Sequence, residues 1–136
     1  MSDAHIFPLR VYFEDTDVGG IVYYANYLKF AERARTEMLR SVGIESGHLM
    51  REDKVYLTVK NCQVNYKTPA RLDDLLEVHS LITCIGGASL SGEQKITCNG
   101  NELVNIKIRL ACVSSNGKPA RLPVRLRSIF NSLCST

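Results

Sequence analysis

Apolar and polar residues alternate along this chain in two rhythms. Between Asn26 and Val42 the apolar positions Tyr27, Phe30, Ala31, Ala34, Met38, Leu39 and Val42 recur at helical spacing, and Gly43 stops the run. That predicts one amphipathic helix, roughly 25 Å long at about 1.5 Å per residue. Arg33 and Glu37 stand one turn apart on another face, where they can pair. From Val55 the period falls to two. Val55, Leu57 and Val59 alternate, the phase slips near Asn61 and Cys62, and Val64 and Tyr66 resume it, which predicts a bulged strand. Thr68 to Arg71 and Asp73-Asp74 form a loop. Leu75 to Ile85 and Ser89 to Cys98 are strands around a Gly86-Gly87 turn. Asn99-Gly100 signals a hairpin into the unbroken alternation of Val104, Ile106, Ile108, Leu110 and Cys112. A short strand is expected at Leu9 to Phe13, a connector at Ile44 to Lys54, and an exposed helix or extension at Leu122 to Leu133.

The order is therefore short strand, long helix, four long strands. Sequential strands joined by tight turns suggest an antiparallel meander, and the one apolar helix must cover its inner face. The expected class is α+β, with one curved sheet wrapped around one helix in a single domain over 1–136. Such a sheet keeps a free edge that a partner chain can extend.

Bulk properties narrow the function classes. At 136 residues the chain is long enough for a real core, and 45% hydrophobic with 23% charged residues is an ordinary globular composition. A net charge of +3 with no basic run interleaved with aromatics gives no case for nucleic acid. No apolar run approaches the ~20 residues that span a bilayer, and Met1 to Pro8 lacks signal-peptide organisation. The five cysteines, Cys62, Cys84, Cys98, Cys112 and Cys134, are odd in number and widely spaced. They are expected as reduced, buried thiols of a cytoplasmic protein, not as disulfides or zinc ligands.

The chemistry concentrates in Phe13 to Tyr27, F-E-D-T-D-V-G-G-I-V-Y-Y-A-N-Y. Glu14, Asp15 and Asp17 crowd a strand end, Gly19 and Gly20 let the backbone turn, and the helix begins. A carboxylate held beside helix-start amides has the parts of an acyl-transfer site: one group activates water or attacks, and the amides hold an oxyanion. Two plainer readings compete. Acidic residues ahead of a helix often cap it, and D-x-D can bind a divalent cation, although the nearest histidine is His5. There is no nucleophile elbow, no phosphate-binding glycine loop, and no evident Cys–His or Ser–His pair. His48 and His79 read as a connector residue and a strand-surface residue. Arg71, Lys118 and Arg121 are loop cations, which usually face solvent but could meet a ligand's phosphates.

D-T-D-x-G-G-I-V-Y-Y-A-N-Y followed by L-K-F-A-E-R-A-R-T-E-M-L-R closely resembles the hot-dog-fold acyl-CoA thioesterases. The nearest group is the Tol–Pal-associated acyl-CoA thioesterases, relatives of the 4-hydroxybenzoyl-CoA thioesterases. The likeness continues through V-N-Y-K-T-P-A-R-L-D-D-L-L-E-V and I-G-G-A-S-L-S-G-E-Q-K-I, covering nearly the whole chain. It implies hydrolysis of an acyl-CoA thioester without cofactor or metal, with Asp17 as nucleophile or general base. The backbone amide of Tyr24 would polarise the thioester carbonyl, and Gly20 would permit its close approach. Val22, Tyr23, Asn26, Tyr27, Tyr66 and Ser89 are the further positions expected around substrate. Many members of the Tol–Pal-associated group carry histidine where this chain has Tyr24, and tyrosine is closer to the hydroxybenzoyl-CoA branch. The resemblance also implies a homodimer or homotetramer with the site between subunits. Acyl carrier protein is the alternative carrier of the thioester. Two rivals remain. A 3-hydroxyacyl dehydratase needs a histidine near the helix, and none lies between His5 and His48. A non-catalytic acyl-CoA or acyl-carrier-protein binding module would use Asp17 only to orient ligand.

Overall fold

The computed structural model describes residues 4–134. Its centre is helix α1, Asn26–Ser41, which buries Tyr27, Phe30, Ala31, Ala34, Met38 and Leu39 along one stripe. Beyond the cap at Val42, Gly43 takes φ +86°. Its N–H bonds the Arg40 carbonyl, and the Ile44 N–H bonds that of Leu39. This closes the helix with a Schellman motif, and buried Ile44 packs the exit. The expected Arg33–Glu37 pair is replaced by Arg40–Glu37 at 3.1 Å, a residue spacing equally in reach on a helix surface.

Five antiparallel strands form the sheet: β1, His5–Arg10; β2, Val55–Tyr66; β3, Leu75–Ile85; β4, Ser89–Cys98; and β5, Asn101–Ser114. Their spatial order is β1-β3-β4-β5-β2. The meander thus holds for β3, β4 and β5 but not for β2. β1 occupies the edge of β3 that β2 would have used, so β2 pairs along β5 from Val55–Ser114 to Tyr66–Val104. The phase slip is a bulge at Lys60, between Val59 and Asn61.

β1 also lies earlier than Leu9 to Phe13. Pro8 lacks an N–H but sits on an edge strand, where one ladder position is free, and Phe7 and Leu9 pack against the core. Phe13–Asp15 is instead a 3₁₀ turn with Phe13 exposed. The connector holds a short helical turn α2, Ser46–His48, that continues through Leu49–Asp53.

The last helix, α3, Val124–Leu133, is not an exposed tail. Leu126 and Phe130 are fully buried. The Arg127 guanidinium donates to the Gly86 and Gly87 carbonyls at 2.9 and 3.0 Å, clasping the β3–β4 turn. The expected burial of the cysteines holds only for Cys112: Cys98 and Cys134 are half-buried, and Cys62 and Cys84 are exposed, because β2 is an edge strand and Cys84 follows a second bulge near the end of β3.

α1 packs over β1 and β3. The inner side of β2 is left open, with Val59 and Tyr66 about half exposed. Among the described residues the outer edge of β2 pairs with nothing.

Candidate active site

The segment between β1 and α1 is a small knot of backbone bonds. Thr16 and Val22 face each other as a two-residue ladder, and the Asp17 N–H bonds the Ile21 carbonyl at 2.9 Å. Asp17, Val18, Gly19 and Gly20 are therefore the tip of a tight hairpin. Gly20 takes φ +79°, which L residues rarely adopt, and a Cβ there would meet no atom within 4 Å. What glycine supplies within the protomer is conformation, not clearance.

Each carboxylate has a distinct task. Asp15 Oδ2 accepts the Tyr12 N–H at 2.8 Å, so Asp15 fixes the 3₁₀ turn. Asp17 Oδ1 accepts the Gly19 N–H at 2.8 Å, which holds the side chain at the hairpin tip while the residue stays exposed. Among the described residues no three His, Cys, Asp or Glu side chains converge to hold a metal ion.

The hairpin is tied to the helix start through one atom. The Asp15 carbonyl oxygen accepts both the Tyr23 N–H at 3.0 Å and the Asn26 side-chain N–H at 2.9 Å. Ala70 makes a second tie: its carbonyl accepts the Val22 N–H and its N–H donates to the buried Tyr27 hydroxyl, both at 2.9 Å. Burial holds the Tyr27 phenol above its ordinary pKa, against the opposing effect of that hydrogen bond. The Tyr66 hydroxyl donates to the Tyr24 carbonyl at 3.1 Å. After these bonds are counted, the Tyr24 N–H donates to nothing among the described residues, and α1 has no side-chain N-cap.

The structure thus gathers Asp17, Gly20, Val22, Tyr23, Tyr24, Asn26, Tyr27 and Tyr66 around the start of α1. Val22, Tyr24, Tyr27 and Tyr66 line a largely apolar cavity of about 300 Å³, together with Ile21, Lys67, Thr68 and Pro69. Tyr23 packs on Tyr24 with ring centroids 4.9 Å apart. Ser89 is not brought there within one protomer. It begins β4 beside the β3–β4 turn, whereas the hairpin is fastened to Arg71 and Leu72 before β3, about 30 Å away along a strand of that length.

Comparison with known proteins fits this geometry. Residues 19–105 match the model of the thioesterase superfamily. The chain is 40% identical to the acyl-CoA thioesterase YbgC of Haemophilus influenzae over 98% of both chains. It is 46% identical to the acyl-CoA thioester hydrolase YbgC of Escherichia coli O6:H1 over 90% of this chain and 92% of that one. The chain belongs to the thioesterase superfamily. A probable thioesterase of Bartonella henselae has the same fold, with TM-score 0.86 and 37% identity over 88% of this chain and 99% of that one. The α+β hot-dog architecture expected from the sequence is therefore the architecture of this thioesterase. No helix among its described residues is long and apolar enough to cross a membrane.

The loop cations of the thioesterase divide between two places. Arg71 is exposed and bridges Ile21 beside the hairpin, whereas Lys118 bonds Ser114 at the end of β5 and Arg121 reaches Gly87 in the β3–β4 turn. His79 faces Glu77 at 3.2 Å on the outer sheet surface, and His48 is exposed in α2. One cluster has no counterpart in the sequence expectations: Arg35, Ser80 and Gln94 bond one another beneath α1. The signal was available, since Ser80 and Gln94 fall on inward positions of β3 and β4 between Val78 and Ile82 and before Ile96.

Proposed function

We propose that this thioesterase hydrolyses acyl-CoA thioesters to the free carboxylic acid and CoA, with Asp17 as the reacting carboxylate and the Tyr24 N–H as oxyanion donor. The observation that carries the reading is the unpaired Tyr24 amide at the start of α1, tied by the Asp15 carbonyl to the hairpin that presents Asp17. An oxygen nucleophile adds to the thioester carbon, the carbonyl oxygen becomes an oxyanion facing the amide, and the C–S bond then breaks. The departing thiolate takes up a proton.

Two routes use these same groups. In one, Asp17 removes a proton from the attacking water and returns it to the thiolate. In the other, Asp17 itself attacks, forms a mixed anhydride, and is released when water cleaves that anhydride. A single turnover in heavy-oxygen water separates them, because only the second can leave label in the Asp17 carboxylate.

The exposed apolar residues Val18, Tyr23, Tyr24, Leu28, Val59 and Tyr66 lie on the hairpin, the helix start and the uncovered side of β2. That distribution supports a homodimer built on the β2 edge, in which a second copy covers the site. The setting is the cytoplasm, where the exposed Cys62 and Cys84 thiols stay reduced.

The test is thiol release from acetyl-, butyryl-, hexanoyl-, palmitoyl-, benzoyl- and 4-hydroxybenzoyl-CoA, with wild type and Asp17→Asn side by side. The expected loss in turnover for Asp17→Asn is about a thousandfold or more, with ligand binding retained. Equal turnover in both proteins would remove Asp17 from the mechanism. Binding of CoA esters without any release would make the chain a binding module.

A further inference from the structure

Four cations gather where β2 starts and β3 and β5 finish, and they divide by what they hold. Arg125 pairs with Asp53 at 2.8 Å. Half-buried Arg127 spends Nη2 on two carbonyls, Gly86 at 2.9 Å and Gly87 at 3.0 Å. Lys118 and Arg121 are exposed, and their side chains make no hydrogen bond or ion pair among the described residues. Two cations at this end are bound inward, and two are unspent.

The turn that Arg127 clasps has little else to fix it. Gly86 and Gly87 bring no side chains, and successive glycines leave the backbone its widest freedom. The Gly86 N–H bonds the Ser89 carbonyl at 2.9 Å, and the Gly87 carbonyl accepts the Leu122 N–H at 3.0 Å. A Cβ at Gly86 would stand 2.5 Å from Ser89 Oγ, and one at Gly87 would stand 3.6 Å from the Arg121 guanidinium. Where the turn sits therefore decides where Ser89 and Arg121 present their polar ends. A charge-assisted bond to each glycine carbonyl is the strongest restraint on it.

Within one protomer this end lies a strand's length from the start of α1. A second copy on the β2 edge reverses that. Antiparallel pairing of two β2 strands about a two-fold axis lays the start of one against the end of the other. With the axis at mid-strand, Val55 of the second copy stands level with Tyr66 of the first. Ser89 and Thr58 both lie opposite Ala111, so the β3–β4 turn is level with the first residues of its own β2. The second copy's turn thus comes level with the last residues of the first copy's β2. It lies three strand spacings from Tyr66, roughly 15 Å to the side. The walls around Tyr24 and Tyr66 are largely apolar, whereas the unspent cations beside the arriving turn suit a phosphate-bearing group.

We propose, on the thioesterase and homodimer readings above, that Arg127 is a positioning residue for the site of the other subunit. It touches no substrate. By holding Gly86 and Gly87 it sets the turn, with Arg121, against the CoA portion of a thioester whose carbonyl lies at the first copy's Asp17 and Tyr24. Helix α3 therefore serves its neighbour's reaction, and its loss weakens the grip on CoA while leaving the reacting groups in place.

The test compares hexanoyl-CoA with hexanoyl-pantetheine, which share the thioester but not the phosphate-bearing nucleotide. Arg127→Met should raise KM for hexanoyl-CoA about tenfold with kcat nearly unchanged, and leave hexanoyl-pantetheine as it was. Equal losses on both substrates, or none on hexanoyl-CoA, overturn the proposal. Heterodimers purified through two different tags, one copy Asp17→Asn and the other Arg127→Met, show which subunit the residue serves. Their one intact Asp17 faces the intact turn of the Asp17→Asn copy, so KM should return to the wild-type value at half the kcat. A KM that stays raised, or copies that remain monomers, overturns the proposal. If Arg127→Met does not fold by circular dichroism, Arg127→Lys, which keeps the charge but loses the fork, decides on the same two substrates. Failure of the thioesterase reading is distinguishable: neither substrate is then cleaved in an Asp17-dependent way. In that event calorimetric binding of CoA decides: binding weakened by Arg127→Met upholds the role of Arg127, and equal binding or none overturns it.

Discussion

The two ends of α1 are built to opposite standards. At the C-terminal end Gly43 and Ile44 return their N–H groups to the last turn, and Ile44 closes the exit by burial. At the N-terminal end Ala25 offers no capping side chain, the first turn carries no acid, and the Tyr24 amide is left unspent. An uncapped start ordinarily costs about 1 kcal/mol. Here the deficiency is held in place by bonds to other segments: Asn26 to Asp15, Tyr27 to Ala70, and Tyr66 to Tyr24. One end of the helix is finished for stability, and the other is kept unfinished but rigid, as the proposed oxyanion donor would require.

Substitutions at each end should therefore separate activity from stability. After Asp17→Asn, the largest effect is expected from Gly20→Val. A β-branched residue at φ +79° must distort the hairpin tip, and kcat should fall about a hundredfold in a protein that still folds, measured by thiol release beside circular dichroism. Normal kinetics would detach the hairpin from the chemistry. Tyr27→Phe comes next. It strands the buried Ala70 N–H, and urea unfolding should show a loss of about 1–3 kcal/mol. The same variant tests pH dependence. Because burial raises the Tyr27 pKa in the folded state, its contribution is complete below the ordinary tyrosine range near 10 and is lost as pH rises through the folded value. The alkaline decline in stability should therefore be shallower in Tyr27→Phe.

At the finished end, Gly43→Ala should cost about 1 kcal/mol of stability and leave kcat alone, since the strain is conformational and no atom crowds the site. A kinetic effect there would mean that the two ends are coupled. The smallest change is expected for Tyr66→Phe. Losing the hydroxyl bond to the Tyr24 carbonyl should lower kcat a few-fold with little change in KM.

How much of this was legible depended on the range of the interaction involved. α1 and the β3–β4 and β4–β5 hairpins followed from spacing and turn residues, because those signals are local. The placement of β2 beside β5 was not, since strand order is decided by which edges remain free after β1 docks, and no residue of β2 records that. α3 buries Leu126 and Phe130 with Ile129 and Leu133 packed beside them, an i, i+3, i+4, i+7 stripe that signals an amphipathic helix but not the surface it covers. The candidate site was visible because Asp17 precedes Gly19-Gly20, an uncommon local arrangement. Arg35 was not. Within E-R-A-R-T-E it looks like one more solvated charge, and only the inward position of Gln94, on a strand far away in sequence, marks it out.

The bulge at Lys60 gives the edge strand a counting rule. Val59 pairs with Leu110 and Asn61 with Arg109, so Lys60 is a residue to which the neighbouring strand assigns no place. Removing it would leave each remaining partner where it was, with Cys62, Val64 and Tyr66 still opposite Ile108, Ile106 and Val104. Removing a residue away from the bulge instead would slide the stretch between it and the bulge by a step and turn its inward side chains out. β2 therefore carries a single spare link, and it is the point at which the length of this strand can change while its two faces keep their identity.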